Sequence, residues 1–380
     1  MSRTPTELEQ IAAQSFPTAA ELAGTFKVQP HSTLRTDAEV AQQMQSLGFG
    51  KDFTDYMAHA TWTPETGWSE LRVEPYGPIT LDPGTSVLHY GQEVFEGLKA
   101  YRHPDGSVWT FRPAYNAARL NKSNIRLGIP ELPIETFLAS IVDLVRADER
   151  WVPSEAGASL YLRPFIFASE SFLGVRAATR YEYLVIASPA GPYFKGGAKP
   201  IELWVEREYH RAGPGGMGDV KTGGNYAASL YPKLRAGKQG FDECLFLDAA
   251  TNTNLDELGG MNVFVVMRDG SVKTPALNGN ILPGTTRSSI LTFLEAEGIP
   301  VSETTIPLKE LIADIESGEV TEMFACGTAA VVTAIGRLAS EDFDVRLEAG
   351  PVTKQIHDEL TSIQLGTRED RFNWLYRLSD

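Results

Sequence analysis

A segment rich in glycine and proline, residues 188–200, separates two long stretches with hydrophobic periodicity in this 380-residue chain. Its sequence, SPAGPYFKGGAKP, contains three glycines and three prolines in thirteen positions, which is typical of a linker. Because domains average about 150 residues, a chain of this length is expected to form two. We therefore predict a smaller domain over residues 1–187, an interdomain loop at 188–200 and a larger domain over 201–380.

Both halves mix strand-like and helix-like patterns. In the first half, HPDG lies between LKAYR and SVWTF and predicts a β-hairpin. Apolar spacing predicts helices over Ala114–Leu127 and Ile134–Asp148 and strands over Leu160–Phe167 and Tyr183–Ala187. The second half has strand-like segments at 201–206, 244–248, 261–275 and 322–326 and helix-like segments from 226 and at 286–298, 308–316 and 352–363. This mixture predicts an α/β (mixed α+β) fold.

The charge balance excludes one class of partner. The chain has 34 Lys and Arg against 49 Asp and Glu, a formal net charge of −15. A nucleic-acid-binding protein replaces phosphate counterions with cationic side chains, and no basic block is present here. We therefore expect no nucleic-acid partner.

The number of cysteines and the length of the apolar runs indicate the cellular compartment. Cys244 and Cys326 cannot form a disulfide framework or a zinc cluster on their own, so we predict two reduced thiols and no metal site. The longest nearly apolar stretch, Phe324–Ile335, is shorter than the roughly 20 residues of a membrane span. The first 24 residues have no continuous apolar region. We interpret them as a loosely ordered leader of a cytoplasmic protein without a membrane partner.

The glycine-rich stretch GPGGMGDVKTGGNY, Gly213–Tyr226, offers three interpretations. Its first six residues match G-x-G-x-x-G, but a dinucleotide-binding loop opens directly into a helix and needs an acidic residue about 20 positions later. Here a second glycine pair delays the helix, and the first acid that closes a strand is Asp248. A P-loop is excluded because Val220 stands where glycine is required before the lysine.

The third interpretation makes Lys221 the functional residue. Glycine turns on both sides allow this lysine to approach a bound carbonyl compound closely. A neutral amine placed there can form a Schiff base with that carbonyl. Because most lysines are solvated surface charges, Lys221 alone does not establish this interpretation. The neighbouring motifs decide between the interpretations.

Several of those motifs together resemble the branched-chain amino-acid aminotransferases, which are pyridoxal-phosphate enzymes of fold type IV. In the second half they are GDVKTGGNYAASL, DELGGMNVFVV, NGNILPGTTRSSIL and FACGTAAVV; in the first half they are FTDYMAHATW, SVLHYGQEVFEGLKAYR, FRPAYNAARLNKS and LYLRPFIFASESFLGV. The match runs from about Phe49 to Gly366. The resemblance implies a two-domain, D-amino-acid-aminotransferase-like fold, pyridoxal 5′-phosphate as cofactor, and reversible ping-pong transfer of the amino group of leucine, isoleucine or valine to 2-oxoglutarate.

The resemblance also implies roles for the residues around the cofactor. Lys221 would hold the cofactor aldehyde as a Schiff base and later move a proton from the substrate Cα. Glu257 would keep the pyridine nitrogen protonated, which favours electron withdrawal from Cα, while its neighbour Asp256 is expected to be solvated. Tyr226 would donate to the 3′ oxygen. The remaining cofactor ligands implied are Arg119, Arg211, Thr285, Thr286 and Thr328.

Chemistry alone supports part of the phosphate site. LPGTTRSSIL places Thr285 and Thr286 at the start of a predicted helix, where backbone amides attract anions. An ordinary helix cap without a ligand is the alternative there. By resemblance, the amides of Thr328 and Ala329 face the substrate α-carboxylate.

Substrate contacts follow from the same resemblance. A branched apolar side chain needs apolar and aromatic walls, and the implied lining is Phe49, Tyr90, Tyr161 and Tyr193. Arg163 would bind the second carboxylate of glutamate or 2-oxoglutarate. Tyr90 and the loop SFLGV, with Val175, would reach the active site of a partner subunit. The resemblance therefore implies a homodimer.

Four other functions remain open at this point. A D-amino-acid aminotransferase and an aminodeoxychorismate lyase share the lysine and the glutamate of this fold. A nicotinamide-dependent dehydrogenase would use the GPGGMG loop. A non-catalytic module would bind pyridoxal phosphate without reacting with any amino acid.

Overall fold

The structure of the chain, a computed structural model, describes residues 3–155, 157–191 and 199–379. These residues form two compact units. The N-terminal unit comprises residues 5–191 and 362–379, and the C-terminal unit comprises residues 3–4 and 199–361. Both units combine one sheet with flanking helices, so the mixed α/β fold predicted from the sequence is confirmed.

The N-terminal unit is built on a mostly antiparallel sheet. In hydrogen-bonding order its strands are β1 (Lys27–Val28), β3 (Gly67–Pro75), β2 (Tyr56–Thr63), β8 (Tyr181–Ala190), β7 (Ser159–Ala168), β5 (Leu98–Arg102), β6 (Val108–Phe111) and β18 (Leu375–Ser379), with β4 (Glu93–Phe95) paired to β7. Its helices are α1 (Glu7–Ala12), α2 (Ala19–Leu22), α3 (Asp37–Met44), α4 (Val87–Tyr90), α5 (Pro113–Arg126) and α6 (Ile134–Ala147). The hairpin predicted at HPDG is present, as β5 and β6.

The predicted helices α5 and α6 agree with the structure to within one residue at each end. Their apolar spacing places one face of each helix against the sheet. On α6, Phe137, Ile141 and Leu144 are fully buried in the core of the unit. At about 25 cal/mol per Å² of apolar surface, burial of this face is the main source of the helix's stability.

The loosely ordered leader that we predicted over the first 24 residues is wrong, because two short helices lie within it, α1 and α2, and a third, α3, follows. Each begins at a threonine followed three residues later by a glutamate: Thr6 with Glu9, Thr18 with Glu21, and Thr36 with Glu39. In each pair the glutamate carboxylate accepts the threonine N–H at 2.7 Å, and the threonine hydroxyl accepts the glutamate N–H. These capping boxes satisfy amides that a helix leaves open at its start.

The C-terminal unit contains a mixed sheet. In hydrogen-bonding order its strands are β11 (Leu255–Leu258), β10 (Glu243–Leu247), β9 (Ile201–Glu206), β16 (Val331–Ala339), β15 (Val320–Gly327), β12 (Asn262–Met267), β13 (Val272–Pro275) and β14 (Val301–Thr304), with β17 (Asp344–Arg346) paired to β16. Its helices are α7 (Gly223–Lys238), α8 (Thr285–Ala296), α9 (Leu308–Ser317) and α10 (Pro351–Gln364), and the last turn of α10 belongs to the N-terminal unit. Strand β9 is parallel to both of its neighbours.

The unit boundaries differ from the predicted domains in two respects. Strand β8 continues to Ala190, so the first residues of the predicted interdomain loop are paired with β7, and residues 192–198 lie outside the described part of the chain. Residues 362–379 belong to the N-terminal unit, because β18 pairs with β6. The N-terminal unit is therefore the longer one, the reverse of the predicted sizes.

Both cysteines are free and buried, as expected from their number. None of the described helices is long and apolar enough to cross a membrane.

Candidate active site

Lys221 lies two residues before α7, and Tyr226 lies in the first turn of that helix. The lysine Nζ donates a hydrogen bond to Tyr226 Oη at 2.6 Å and lies 5.0 Å from the centre of the tyrosine ring. Both side chains are half-buried. The glycine pair 223–224 forms the start of α7, so the chain turns into the helix between the two residues and brings them together.

A buried carboxylate lies at the centre of the second group of site residues. Glu257, on β11, is 3% exposed. Its Oε1 accepts the Leu282 N–H at 2.9 Å and lies 2.6 Å from Arg211 Nη2, and its Oε2 accepts from Asn262 Nδ2 at 3.2 Å. The carboxylate is thus held on both oxygens by side chains and backbone that come from three separate segments.

Burial and charge act in opposite directions on this carboxylate. Burial raises the pKa of Glu257 above its ordinary value, and the nearby Arg211 guanidinium and the Leu282 amide oppose that rise. An unpaired carboxylate this deeply buried would take up a proton, so the arginine is what favours its charged form.

Arg211, which the resemblance implies as a cofactor ligand, is a buried side chain, 8% exposed. Besides its contact with Glu257, its Nη2 donates to the carbonyl oxygens of Gly218 and Asn280. These contacts fix the guanidinium beside Glu257.

Asp256 is also placed differently from the prediction. It is 4% exposed, not solvated, because it lies on β11 among buried neighbours. Its Oδ1 accepts from Asn278 Nδ2 at 3.1 Å, and burial raises the pKa of its carboxyl.

Hydrogen bonds hold the start of α8 next to Glu257. Leu282, in the loop before the helix, donates its N–H to Glu257. The Leu282 carbonyl accepts a hydrogen bond from Asn262 Nδ2 at 3.0 Å. A Cβ on Gly284, the N-cap, would lie 2.2 Å from Asn262 Oδ1, so glycine is required for this close approach. Thr285 and Thr286 follow, each 6% exposed. The predicted anion site is therefore a buried N-terminus of a twelve-residue helix.

Thr328 and Ala329 lie in the tight turn between β15 and β16, where both are half-buried. Gly327 pairs with Val331 across the turn. Val331 has a φ of +58°, a left-handed conformation that β-branched residues rarely adopt. Glycine adopts this conformation without steric cost, so the valine introduces backbone strain beside the two predicted site residues.

Arg119 lies in the N-terminal unit, on α5, and is 3% exposed. Its Nε and Nη2 donate to the two oxygens of the Glu96 carboxylate at 2.7 and 2.8 Å. Asn116 Nδ2 donates to the same carboxylate at 2.8 Å. This bidentate pair fixes the guanidinium plane of the predicted phosphate ligand.

Three predicted substrate residues form one group on the N-terminal unit. Phe49 and Tyr161 meet edge to face with ring centres 5.0 Å apart, and Arg163 Nη2 donates to Tyr161 Oη at 2.9 Å. The guanidinium also lies 4.7 Å from the ring of Phe95. A Cβ on Gly97 would lie 2.2 Å from Tyr161 Oη, so the glycine in FEGLKAY allows the phenol to approach. An arginine among aromatic rings can bind a carboxylate beside an apolar surface.

Tyr90 and Val175 form a separate, exposed group. Tyr90, 41% exposed, donates through Oη to the Leu173 carbonyl, and Val175 is 87% exposed. Tyr193, the remaining predicted lining residue, lies outside the described residues.

Sequence reasoning missed Asn262 and Glu96, which hold Glu257 and Arg119 in place. Both are buried polar residues in apolar segments, MNVFVV and EVFEGL. A polar residue at a buried position usually has a hydrogen-bonding partner, and that pattern could have identified them.

The family model for the class IV amino-transferases matches residues 93–338, more than half of the chain. The chain therefore belongs to the class IV aminotransferases, which confirms the resemblance drawn from its motifs. The nicotinamide interpretation of GPGGMG is not supported, because residues 213–218 do not open into a helix; α7 begins at Gly223.

Its relatives and structural neighbours narrow the family further. A probable branched-chain-amino-acid aminotransferase of Streptomyces coelicolor is 48% identical over 359 residues, which cover 93% of this chain and 99% of the relative. The solved branched-chain amino acid aminotransferase of Escherichia coli has a TM-score of 0.69 and 28% identity, over 86% of this chain and 99% of that one. The branched-chain amino acid aminotransferase of Thermobaculum terrenum, solved in its PLP form, has a TM-score of 0.69 and 23% identity, over 86% and 99%. These neighbours have the fold type predicted from the sequence.

Proposed function

We propose that this protein is a branched-chain-amino-acid aminotransferase, which exchanges the amino group of leucine, isoleucine or valine with 2-oxoglutarate and uses pyridoxal 5′-phosphate. The observation that carries the proposal is the pair of contacts in the C-terminal unit, Lys221 with Tyr226 and Glu257 with Arg211. The similarity to enzymes of that name over nearly the full length of the chain supports it.

The residues present fit this cofactor. A pyridine nitrogen needs an anionic partner, and Glu257 is a buried carboxylate whose charge Arg211 stabilises. A phosphate needs backbone amides and hydroxyls, which Thr285 and Thr286 offer at the start of α8. When bound, pyridoxal phosphate supplies an aldehyde that accepts the substrate amino group and a ring that withdraws electrons.

Lys221 has two tasks in this reaction. Its Nζ would be the amine that holds the cofactor between turnovers, and it would serve as the base that takes a proton from the substrate Cα. Tyr226 Oη, 2.6 Å away, accepts a hydrogen bond from Nζ and limits the positions that the amine can take. Thr328 and Ala329 are assigned to the substrate α-carboxylate, and Thr328 also to the phosphate. Arg119, oriented by Glu96, is a further candidate ligand of a phosphate.

Replacement of Lys221 tests the assignment. We expect Lys221→Ala to abolish transamination and the visible absorption of the lysine-bound cofactor. Lys238→Ala is the matched control, because Lys238 lies exposed at the end of α7 and should leave turnover unchanged. Turnover of Lys221→Ala at the rate of the original protein would overturn the proposal. Preference for a D-amino acid would indicate a D-amino-acid aminotransferase instead, and release of pyruvate from aminodeoxychorismate would indicate an aminodeoxychorismate lyase.

Arg163 is the proposed ligand of the distal carboxylate of glutamate and 2-oxoglutarate. Its Nε is buried and has no hydrogen-bond partner among the described residues, while Phe49, Phe95 and Tyr161 provide the apolar side of the same group. A substrate with a second carboxylate can satisfy the arginine, and a branched side chain can contact the rings. We expect Arg163→Gln to raise the KM for 2-oxoglutarate by about tenfold or more and to change the KM for leucine much less. Equal effects on both substrates would rule out this role.

We also propose a homodimer in which Tyr90 and Val175 serve the partner's active site. The exposed apolar side chains of Tyr90, Leu173 and Val175 on one surface support this proposal, because such groups mark protein interfaces. Mixing inactive Lys221→Ala subunits with Val175→Asp subunits should restore part of the activity, since one site of each mixed dimer is intact. Ile125→Asp, at another exposed apolar position, is the control that should not impair activity. Failure of the mixed subunits to regain activity would contradict the shared site.

A cytoplasmic location is proposed as well. It rests on the two cysteines, which are buried as free thiols, since oxidising compartments favour disulfides. Fractionation of the native host's cells tests it, and recovery of the protein outside the cytosol would contradict it.

A further inference from the structure

A cavity lies in the N-terminal unit, and none of the residues assigned above lines it. It has a volume of about 460 Å³ and opens between the segment that follows α1, the start of α5 and the strand β18. This volume is within the range of small-ligand pockets. Its lining combines one cation, one carboxylate and apolar walls: Arg112, Glu9, Phe16, Leu138 and Trp374.

Arg112 is the cationic group of this cavity. It is 8% exposed, and its guanidinium lies 4.8 Å from the centre of the Tyr115 ring and 5.5 Å from that of Trp374. These two rings restrict the positions of the guanidinium and reduce its contact with water. A buried arginine in a cavity is a binding group for a carboxylate.

Two residues that line the cavity have a left-handed backbone. Arg112 has a φ of +50° and Asn373 has a φ of +55°, a region that asparagine adopts readily and arginine rarely. The Arg112 N–H donates to the Trp374 carbonyl at 2.7 Å, which fixes Arg112 beside the segment that leads into β18. Residues held in such conformations are frequent at ligand sites, so the backbone of Arg112 supports a role at this cavity.

Glu9 supplies the complementary charge. Its Oε2 accepts hydrogen bonds from the Thr6 N–H at 2.7 Å and the Thr6 hydroxyl at 3.0 Å, so the carboxylate is fixed in position. An ammonium group can share a carboxylate held in this way. Aromatic side chains form another part of the lining, where Phe372 stacks on Trp374 with ring centres 4.2 Å apart.

We propose that this cavity is a second binding site for an α-amino acid with an apolar side chain. The carboxylate binds Arg112, the ammonium binds Glu9, and the side chain lies against Phe16, Leu138 and Trp374. The site is separate from Lys221 and does not depend on the proposed function. If the chain does act on branched-chain amino acids, the same class of compound that it turns over occupies this cavity as an effector.

The test measures binding of L-leucine by calorimetry to the full-length holoenzyme and to Lys221→Ala, in which turnover is absent. We expect one site per chain that persists in Lys221→Ala and is weakened at least about tenfold by Arg112→Gln, but less by Arg112→Lys, which keeps the charge. 4-Methyl-2-oxopentanoate lacks the ammonium and 3-methylbutylamine lacks the carboxylate, and both should bind at least about tenfold more weakly to this site.

The design separates this inference from the proposed function. Should Arg112→Gln fail to fold, Ser15→Trp fills the cavity from an exposed position on its rim and should abolish the same binding. Binding that is unchanged in Arg112→Gln and in Ser15→Trp, or an absence of binding to Lys221→Ala at millimolar leucine, overturns the second site. A protein that catalyses no transamination would refute the proposed function but would not change the leucine binding expected at this cavity.

Discussion

The Nη2 atom of Arg211 lies 2.6 Å from Glu257 Oε1, and both side chains are almost fully buried. Removing one partner leaves the other charge uncompensated, which typically costs about 3–5 kcal/mol. We expect Arg211→Gln to lower the free energy of unfolding by that order and to weaken retention of pyridoxal phosphate.

The double variant Arg211→Gln/Glu257→Gln should recover part of the stability lost in Arg211→Gln, because no lone charge remains. Denaturant unfolding of both single variants and the double variant measures the coupling. The exposed pair Arg235 with Glu208 is the control, since its disruption should change stability little. Additive effects at positions 211 and 257 would show that the buried pair is not coupled.

The Tyr226 phenol should matter to turnover more than to folding. Tyr226→Phe removes the hydrogen bond to Lys221 Nζ, whose loss is worth about 1–1.5 kcal/mol. We expect kcat to fall about tenfold, with a shift in the absorption maximum of the bound cofactor. Tyr231→Phe is the control, because Tyr231 is 58% exposed on the same helix. An unchanged spectrum and rate in Tyr226→Phe would exclude a role beside the lysine.

Local patterns in the sequence predicted most of the elements. The helices α5, α6 and α9 follow from apolar spacing, and the β5–β6 hairpin follows from Asp-Gly. In these segments one face is buried, so the residues nearby in sequence contain the necessary information. The three N-terminal helices could also have been recognised, because each starts with a threonine three residues before a glutamate.

Contacts between residues distant in sequence could not be predicted in the same way. The return of residues 375–379 to β6, and the pairing of Arg211 with Glu257, join segments that are distant in sequence. No local pattern specifies which buried carboxylate an arginine will reach. The motifs predicted Lys221, Tyr226 and Glu257 as site residues, whereas the partners that orient them required the structure.

Asp148 gives a pH-dependent prediction. Burial, together with a smaller contribution from the nearby Asp55, raises the pKa of its carboxyl to about 6. Hydrogen bonds from Thr54 and from the Tyr56 N–H, which Oδ2 accepts at 3.0 Å, oppose that rise. Because the folded-state pKa lies above the unfolded value of about 3.9, the native state binds the proton more tightly, and stability falls as the pH rises from about 4 to about 6.

Replacing this carboxyl by an amide removes that dependence. Asp148→Asn should be more stable than the original protein above pH 6, by up to about 3 kcal/mol, and the difference should disappear near pH 4. Thermal or urea unfolding from pH 4 to 8 measures it. A stability difference that grows as the pH falls would contradict the raised pKa.

The strained turn beside Thr328 and Ala329 can be tested with two neighbouring valines. Val331 has a φ of +58° and is 7% exposed; Val332 is 2% exposed and has no positive φ. Glycine removes a buried side chain at either position, but only at 331 does it also relieve a left-handed backbone. We expect Val331→Gly to destabilise the protein less than Val332→Gly by about 1–3 kcal/mol in denaturant unfolding. Because glycine also frees the turn, Val331→Gly should raise the KM for the amino-acid substrate while its stability is largely retained. Equal losses of stability in the two variants would mean that Val331 stores no strain.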